Sequence, residues 1–292
     1  MENSNHIQGL SVSFPEMKMI STKTIVFILL ITSWGFSQQQ ECDILDRVVV
    51  TGASVTSGFG LITPPIKGDL GGYPITLKHI MEGLIATPHK DVELLSNMMF
   101  FRNPKIHGDA FINQIIEYKP TLVIGIDFLF WFAYGSTGLS EPVEYRTEKF
   151  EYGLELLSKL DVPILVGDLP DMRKAIGKML SAHHVPSEET LKQLNIRLSV
   201  WAEEHDNVTV IPVHDLIESL HNDEDITVLD STWSSGSQEK LLQDDMLHTT
   251  LEGTVIASLM IAELLQLDCV ESNPKVIMKN AAAKAREDAK KN

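Results

Sequence analysis

Three residues of this chain have the types and spacing that nucleophilic catalysis requires. Ser54 lies on a glycine-containing turn just after the β-branched run from Arg47 to Thr51. Far along the chain, Asp245 lies three residues before His248, at the entrance of an apolar helical stretch. A carboxylate at that offset can accept a hydrogen bond from Nδ1 of the imidazole and leave Nε2 to take a proton from a serine hydroxyl. The sequence therefore predicts a catalytic set of Ser54, His248 and Asp245 suited to acyl transfer.

Short β-rich runs separated by amphipathic stretches must position these residues. The predicted strands cover 47–51, 91–95, 121–125, 162–166 and 207–211, and the predicted helices cover 73–84, 109–118, 141–160, 187–205 and 250–267. Strands that are apolar on both faces and alternate with helices indicate a parallel sheet covered on both sides, and hence an α/β fold. Ligands of such sheets bind beyond the carboxyl ends of the strands, which is where Ser54 lies.

The charge balance of the chain excludes one class of partner. Its 292 residues include 40 acidic and 24 basic side chains, which gives a net charge of −16. Because proteins that bind nucleic acid cluster Lys and Arg against the phosphates, we expect no nucleic-acid partner. Neither of the two cysteines lies in a metal-ligand spacing, and a serine nucleophile needs neither a metal nor a cofactor.

The N-terminal segment has the composition of a secretory signal peptide. Lys18 and Lys23 precede an apolar run over 24–36, and Ser37 comes just before a stretch of glutamines. The run is shorter than the roughly 20 residues that a membrane-spanning helix needs. We therefore expect cleavage near Ser37 and export to the periplasm or the extracellular space, with no stable membrane span in the mature chain.

The two blocks that carry the predicted chemistry resemble those of the SGNH hydrolases, also called GDSL esterases and lipases. Gly52-Ala-Ser54 matches the family's serine block after the first strand, although alanine stands at the position of the usual aspartate. Asp245-Met-Leu-His248 matches its Asp-x-x-His block before the last helix, and Gly253 fits the glycine that follows. The resemblance covers residues 47 to 267.

The resemblance implies a fold and an activity. The expected fold is a three-layer, flavodoxin-like parallel sheet of about five strands with helices on both faces. The expected activity is that of a serine esterase, acting without cofactor or metal on a small-molecule, polysaccharide or lipid ester. We accordingly expect an N-terminal extension plus signal peptide at 1–37, an SGNH-hydrolase-like domain at 38–272, and a charged C-terminal tail at 273–292 that is a loose helix or disordered.

One position departs from what the resemblance implies for the oxyanion hole. The family uses the serine N–H, a glycine N–H after the second strand and an asparagine side chain after the third, which here correspond to Ser54, Gly108 and Asp127. An asparagine donates to an oxyanion, whereas an ionised aspartate repels it. Three explanations are open: Asp127 is protonated by burial near a second carboxylate; it binds a cationic substrate group or orients another donor; or Asn97 or Asn103 supplies the missing donor. Failing these, the chain is a catalytically impaired SGNH-fold protein that binds carbohydrate or lipid.

A minor alternative is an oxidoreductase resembling the short-chain dehydrogenases. The block ending at Ser54 resembles the opening of that family's cofactor motif, and Tyr145 and Lys149 match its Tyr-x-x-x-Lys pattern. Three residues separate Ser54 from Gly58, whereas that motif allows one. We therefore expect Tyr145 and Lys149 to lie on a solvated helix face.

Three further predictions concern packing around the site. The aromatic run from Phe128 to Phe132 either lines an apolar substrate pocket or packs in the core. The loop over 231–243 is rich in Ser and Gly, and the sequence leaves open whether it closes over the site. In the fold that the resemblance implies, Cys42 and Cys269 fall at the pole opposite the active site, and we expect them to form a disulfide.

Overall fold

A five-stranded parallel sheet forms the centre of the structure, a computed structural model that describes residues 42–137 and 143–291. Its strands are β1 (Val48–Gly52), β2 (Glu93–Ser96), β3 (Leu122–Gly125), β4 (Ile164–Gly167) and β5 (Val208–Ile211), in the order β2-β1-β3-β4-β5. This order is that of doubly wound flavodoxin-like sheets. The predicted α/β fold with five parallel strands is confirmed.

Helices cover the sheet in two groups. The helices are α1 (Leu77–Leu84), α2 (Pro104–Tyr118), α3 (Phe130–Ala133), α4 (Val143–Leu157), α5 (Glu188–Glu203), α6 (Val213–His221), α7 (Gln238–Leu241), α8 (Leu251–Leu264) and α9 (Pro274–Lys291). Helices α1, α8 and α9 pack against one another, and α2, α4 and α5 form the other group. Because both faces are covered, every residue of β1 is buried.

The strand order fixes where a site can form. Gly52 of β1 lies opposite Ser96 of β2, and Val50 of β1 lies opposite Ile124 of β3. Since the chain leaves β1 toward one side of the sheet and leaves β3 toward the other, a crevice opens beyond their carboxyl ends. The segments that follow β1 and β3, which contain Ser54 and Asp127, meet in this crevice.

The C-terminal segment, expected to be a loose helix or disordered, is a helix packed against the rest of the domain. It forms α9, an 18-residue helix that packs against α1. Ile277 and Ala281 are buried on the apolar face of α9, and Lys284 forms an ion pair with Glu82 of α1 at 3.2 Å. The apolar side chains recur at helical spacing among the lysines, so the charged composition concealed an amphipathic helix.

The segment over 231–243 is also folded. It contributes β7 (Ser231–Trp233), which pairs antiparallel with β6 (Ile226–Val228), and then α7, which packs against α8. The Gln243 side-chain amide donates to the carbonyls of Phe59 and Thr249, at 2.7 and 2.8 Å. These contacts join the segment to the loops that carry Ser54 and His248.

Cys42 and Cys269 form the predicted disulfide, with their Cα atoms 6.1 Å apart. Cys42 precedes β1 and Cys269 follows α8, so the bridge lies at the amino end of the sheet. The predicted signal peptide, residues 1–37, lies outside the described residues. Across residues 42–137 and 143–291, no helix combines the length and the apolar character needed to cross a membrane.

Candidate active site

The structure brings Ser54, His248 and Asp245 together in a hydrogen-bonded chain. Ser54 Oγ lies 2.9 Å from His248 Nε2, and His248 Nδ1 lies 2.7 Å from Asp245 Oδ2. With the imidazole proton on Nδ1, the histidine donates to the carboxylate and Nε2 can accept the serine proton. This is the geometry in which a base activates a nucleophile and is itself oriented by a third group.

A tight turn places the carboxylate under the imidazole. Asp245 Oδ1 accepts hydrogen bonds from the backbone N–H groups of Leu247 and His248, both at 2.9 Å. Met246, between Asp245 and Leu247, has a left-handed backbone with φ of 58°. Aspartate favours such turns because its short side chain bonds the backbone two or three residues on. One oxygen of Asp245 therefore shapes the turn while the other holds the histidine.

The surroundings of Asp245 keep it charged. Burial would raise its pKa, but hydrogen bonds from the N–H and imidazole of His248 and from the N–H of Leu247 outweigh that effect, and the pKa lies below its usual value. An ionised carboxylate stabilises the imidazolium that forms during proton transfer. The ring of Phe59 stacks on a face of the His248 ring, with centroids 4.1 Å apart, and so restricts its orientation further. The sequence interpretation did not single out Phe59.

Ser54 lies in a helical turn that directly follows β1. The Ser57 N–H donates to the Ala53 carbonyl and the Phe59 N–H donates to the Ser54 carbonyl, each at 2.9 Å. Among the hydrogen bonds of the described residues, none uses the Ser54 N–H as a donor. This donor is therefore available to an oxyanion that forms beside Ser54 Oγ.

Asp127 lies beneath this turn and accepts hydrogen bonds from it. Its Oδ1 accepts from the Ala53 N–H at 3.0 Å and the Thr56 hydroxyl at 2.5 Å. Its Oδ2 accepts from the Val55 N–H at 2.8 Å and the Thr56 N–H at 3.3 Å. Burial raises the pKa of Asp127, and these four hydrogen bonds oppose the rise. Both oxygens of Asp127 are thus used as acceptors for the turn, whereas an asparagine acting as an oxyanion donor would face the substrate.

Gly108 lies inside α2, away from the triad's hydrogen bonds. The helix begins at Pro104, with Asn103 as its N-cap, so Gly108 lies in the second turn, where N–H groups are paired with backbone carbonyls. A Cβ at Gly108 would lie 2.7 Å from Leu156 and 3.1 Å from Phe132, which indicates a close helix contact. The helix starts five residues earlier than its predicted start at 109; Asn103-Pro104, a capping residue followed by proline, is the signal for that start.

An apolar cavity of about 50 Å³ lies next to Ser54. Its wall includes Phe130, Trp131, Met172, Leu216, Ile217 and Leu247. Two residues of the predicted aromatic run thus line a pocket. Phe128 and Phe132 of the same run are fully buried and contact Phe100, so both interpretations of the run hold for different residues.

Asp168, directly after β4, borders both this cavity and a polar groove beyond it. Asp171, Arg173 and Asn195 also line the groove. Burial raises the pKa of Asp168 to about 6, although the His214 N–H donates to its Oδ1 at 2.6 Å. The sequence interpretation noted the loop that begins at Asp168 without giving this side chain a role. Its position at the carboxyl end of a strand was the available signal.

The residues of the oxidoreductase alternative lie on α4. Tyr145 is exposed, as expected, but the expectation is wrong for Lys149, which is buried and donates from Nζ to the Tyr134 carbonyl at 2.6 Å. Arg146 donates to the neighbouring Ala133 carbonyl, also at 2.6 Å. Burial lowers the pKa of Lys149 to about 8. Both cations bind carbonyls at the C-terminal end of α3, where the helix dipole favours positive charge.

One group of described side chains has the proximity that a metal ion would need. His214, Asp215 and Glu218 lie within 4.8 Å of one another at the start of α6. Both carboxylates are exposed, and exposed acidic groups often lie together without a metal. The proximity alone therefore assigns no metal centre.

Solved structures with a similar fold include several hydrolases. A GDSL-like lipase from Bacteroides thetaiotaomicron shares 13% identity, with 82% of this chain and 96% of that chain covered and a TM-score of 0.45. An acetylxylan esterase from Geobacillus stearothermophilus, solved as a catalytic mutant, shares 12% identity, with 78% and 97% covered and a TM-score of 0.47. The psychrotrophic esterase EstA from Pseudoalteromonas sp. shares 10% identity, with 76% and 97% covered and a TM-score of 0.42.

No family model and no curated protein matches the sequence. In fold, the chain is similar to a GDSL-like lipase and an acetylxylan esterase.

Proposed function

We propose that this protein is a serine esterase that transfers the acyl group of a carboxylic ester to Ser54 and then to water. The hydrogen-bonded chain from Ser54 through His248 to Asp245 carries the proposal. A serine hydroxyl is a weak nucleophile by itself, and an oriented imidazole makes it reactive. Nothing in this chemistry requires a metal or a cofactor.

The reaction follows from the positions of these groups. Ser54 Oγ attacks the ester carbonyl carbon while His248 Nε2 takes the hydroxyl proton, and the carbonyl oxygen becomes an oxyanion facing the Ser54 N–H. The tetrahedral intermediate collapses, the carbon–oxygen bond to the alcohol breaks, and His248 donates its proton to the departing alcohol. Water, deprotonated by His248, then attacks the acyl-enzyme, and Ser54 recovers its proton as the acid departs.

We propose that Asn97 supplies a second oxyanion donor. It directly follows β2, and its backbone N–H donates to the Gly52 carbonyl at 3.3 Å, next to the helical turn that contains Ser54. Its side-chain nitrogen lies 3.4 Å from His107 Nδ1, which can accept only one of the two amide protons. The other candidate, Asn103, instead uses its side chain to cap α2.

Replacing Asn97 with alanine is expected to lower kcat by roughly 100-fold, the usual cost of one oxyanion donor, with little change in KM. Steady-state hydrolysis of p-nitrophenyl acetate measures both constants. Asn103→Ala is the matched control: it removes a helix cap and about 1 kcal/mol of stability, which thermal unfolding detects, and it leaves kcat unchanged. Equal kcat values for wild type and Asn97→Ala would show that the second donor is another group.

The size of the cavity next to Ser54 favours substrates with a short acyl group. Its volume of about 50 Å³ exceeds the space of one water, roughly 10–15 Å³ on the same measure, by only a few such units. An acetyl or propionyl group fits this space, and its apolar wall suits a methyl or ethyl end. An eight-carbon chain does not fit without displacing the wall.

We therefore expect kcat/KM to fall by at least roughly 10-fold from p-nitrophenyl acetate to the octanoate. Trp131→Ala removes part of the cavity wall and should raise the octanoate rate relative to the acetate rate. Ile196 is an exposed residue of α5 outside the cavity wall, so the control variant Ile196→Ala should leave the ratio of the two rates unchanged. If the wild-type protein hydrolysed the octanoate ester faster than the acetate ester, the acyl chain would have to bind outside this cavity.

We also propose that the protein is exported. The Cys42–Cys269 disulfide supports this, since such bonds persist in oxidising compartments, and so does the signal-like composition before Ser37. N-terminal sequencing of protein recovered outside the cytoplasm should begin near Gln38. A full-length chain found only in the cytoplasm, with reduced cysteines, would contradict export.

A further inference from the structure

The helical turn that follows β1, residues 53–59, is here called the nucleophile turn. Three of its backbone N–H groups converge on one buried carboxyl group. Those of Ala53, Val55 and Thr56 donate to Asp127, while the N–H of Ser54 does not. The Thr56 hydroxyl adds a fourth hydrogen bond to the same carboxyl group. Each bond spans more than 70 positions of sequence, so the turn after β1 is held by a residue that follows β3.

The turn is built around this carboxyl group. A Cβ at Gly52 would lie 2.0 Å from Asp127 Oδ1 and 2.6 Å from Thr56 Oγ1. A Cβ atom does not approach nonbonded atoms this closely, so only glycine lets the carboxyl group enter at the end of β1. Gly52, Thr56 and Asp127 therefore form a matched set around the turn that carries the nucleophile.

An asparagine could not make these contacts. Both oxygens of Asp127 accept from backbone N–H groups, and an amide offers only one acceptor oxygen. Its NH₂ group would face at least one N–H of the turn, leaving buried donors without a partner. The aspartate found where the resemblance implies an asparagine thus has a physical reason, which the sequence did not reveal.

We propose that Asp127, with Thr56, is a positioning residue that clamps the nucleophile turn, holds Ser54 Oγ against His248 Nε2 and leaves the Ser54 N–H unpaired for the oxyanion. The inference deepens the proposed esterase function and rests on it for its effect on rate. Asp127 acts through the turn, because its hydrogen bonds go to Ala53, Val55 and Thr56 and, among the described residues, none joins it to Ser54 or His248. A misplacement of a nucleophile by about 1 Å can cost roughly 100-fold in rate.

Asp127→Asn tests the proposal against a matched control, Glu82→Gln. Glu82 is also a buried carboxylate that accepts a backbone N–H, that of Val92 at 3.0 Å, but Val92 precedes β2 at the opposite end of the sheet. We expect Asp127→Asn to lower kcat for p-nitrophenyl acetate by roughly 100-fold with KM within about threefold of wild type. Glu82→Gln should keep the wild-type kcat, whatever it does to stability.

Thr56 provides a second pair of variants that keep the carboxyl group. Thr56→Val removes one hydrogen bond to Asp127 at nearly constant volume and should lower kcat by roughly 10-fold. Thr56→Ser retains the hydroxyl and should restore most of the rate. A wild-type or faster rate in Asp127→Asn, or equal rates in Thr56→Val and Thr56→Ser, would overturn the proposal. The Thr56 pair remains decisive if Asp127→Asn does not fold.

Amide hydrogen exchange, measured by NMR, tests the clamp without any substrate. Loss of the clamp should speed exchange of the Val55 and Thr56 N–H groups by at least roughly 10-fold in Thr56→Val and in folded Asp127→Asn, and not in Glu82→Gln. Unchanged exchange in the first two variants would overturn the proposal. If wild type and Ser54→Ala are equally inert on esters while exchange responds as expected, the proposed function fails and the clamp stands.

Discussion

Ser54→Ala is expected to lower kcat for p-nitrophenyl acetate by at least roughly 10⁴-fold. The variant removes the only atom that forms the covalent bond to the acyl group. His248 and Asp245 remain in place, but they have no nucleophile to activate. The residual rate would come from oxyanion stabilisation and substrate binding, which survive loss of the serine.

Ser57→Ala is the matched control for Ser54→Ala. Ser57 lies in the same turn and is also largely buried, but its hydroxyl donates to the Ser96 hydroxyl at 2.9 Å and does not contact His248. We expect its kcat to remain within a few-fold of wild type. The proposed esterase function would be contradicted by equal activity of wild type and Ser54→Ala, because the hydrolysis observed would then not pass through this serine.

Asp245→Asn is expected to lower kcat by roughly 10⁴-fold while the protein stays folded. The amide can still accept from the backbone N–H groups of the turn with its oxygen. Its nitrogen then faces His248 Nδ1 and favours the tautomer with the proton on Nε2, which cannot accept the serine proton. The histidine would keep its place and lose its function as a base.

The neighbouring residue supplies the control for Asp245→Asn. The side chain of Asp244 is exposed, and only its backbone carbonyl is used, accepting from Lys178 Nζ at 2.8 Å. Asp244→Asn makes the same chemical change one residue away and should keep the wild-type kcat at every pH between about 6 and 9. If Asp245→Asn retained more than about a tenth of the activity, the carboxylate would not be the group that orients His248.

The sequence was sufficient to predict the parts of the fold that depend on local patterns. The central strands β1, β3 and β4 are fully buried and rich in β-branched and aliphatic residues, as a parallel sheet covered on both faces requires, and the edge strands β2 and β5 are only partly buried. Their boundaries moved by one or two residues, as in β1, predicted at 47–51 and found at Val48–Gly52. The predicted triad residues lie together because the rule that ligands bind at carboxyl ends of strands depends only on topology.

The role of Asp127 could not be predicted in the same way. Its contacts depend on the register between β1 and β3 and on how closely two loops approach, and neither is written in the pattern of either segment. Gly108 was a different case, because the cap and proline before it were present in the sequence and the helix start was placed too late. The burial of Lys149 was not predicted, because its partner is the carbonyl of Tyr134 at the end of another helix, and no charge pattern reveals such a partner.

The disulfide closes a covalent ring through the protein. Its two cysteines are 227 positions apart, and the ring between them contains the whole sheet together with Ser54 and His248. A protease that cut the exposed loop at Leu70, which is 95% exposed, would leave a single molecule in which the loops that carry Ser54 and His248 are still tethered. Re-docking of the two pieces would then be an intramolecular event at high effective concentration. Helix α9 lies outside the ring, so a cut after Cys269 would leave it attached only by noncovalent contacts, which include its packing against α1 and α8 and the Arg286–Asp69 ion pair.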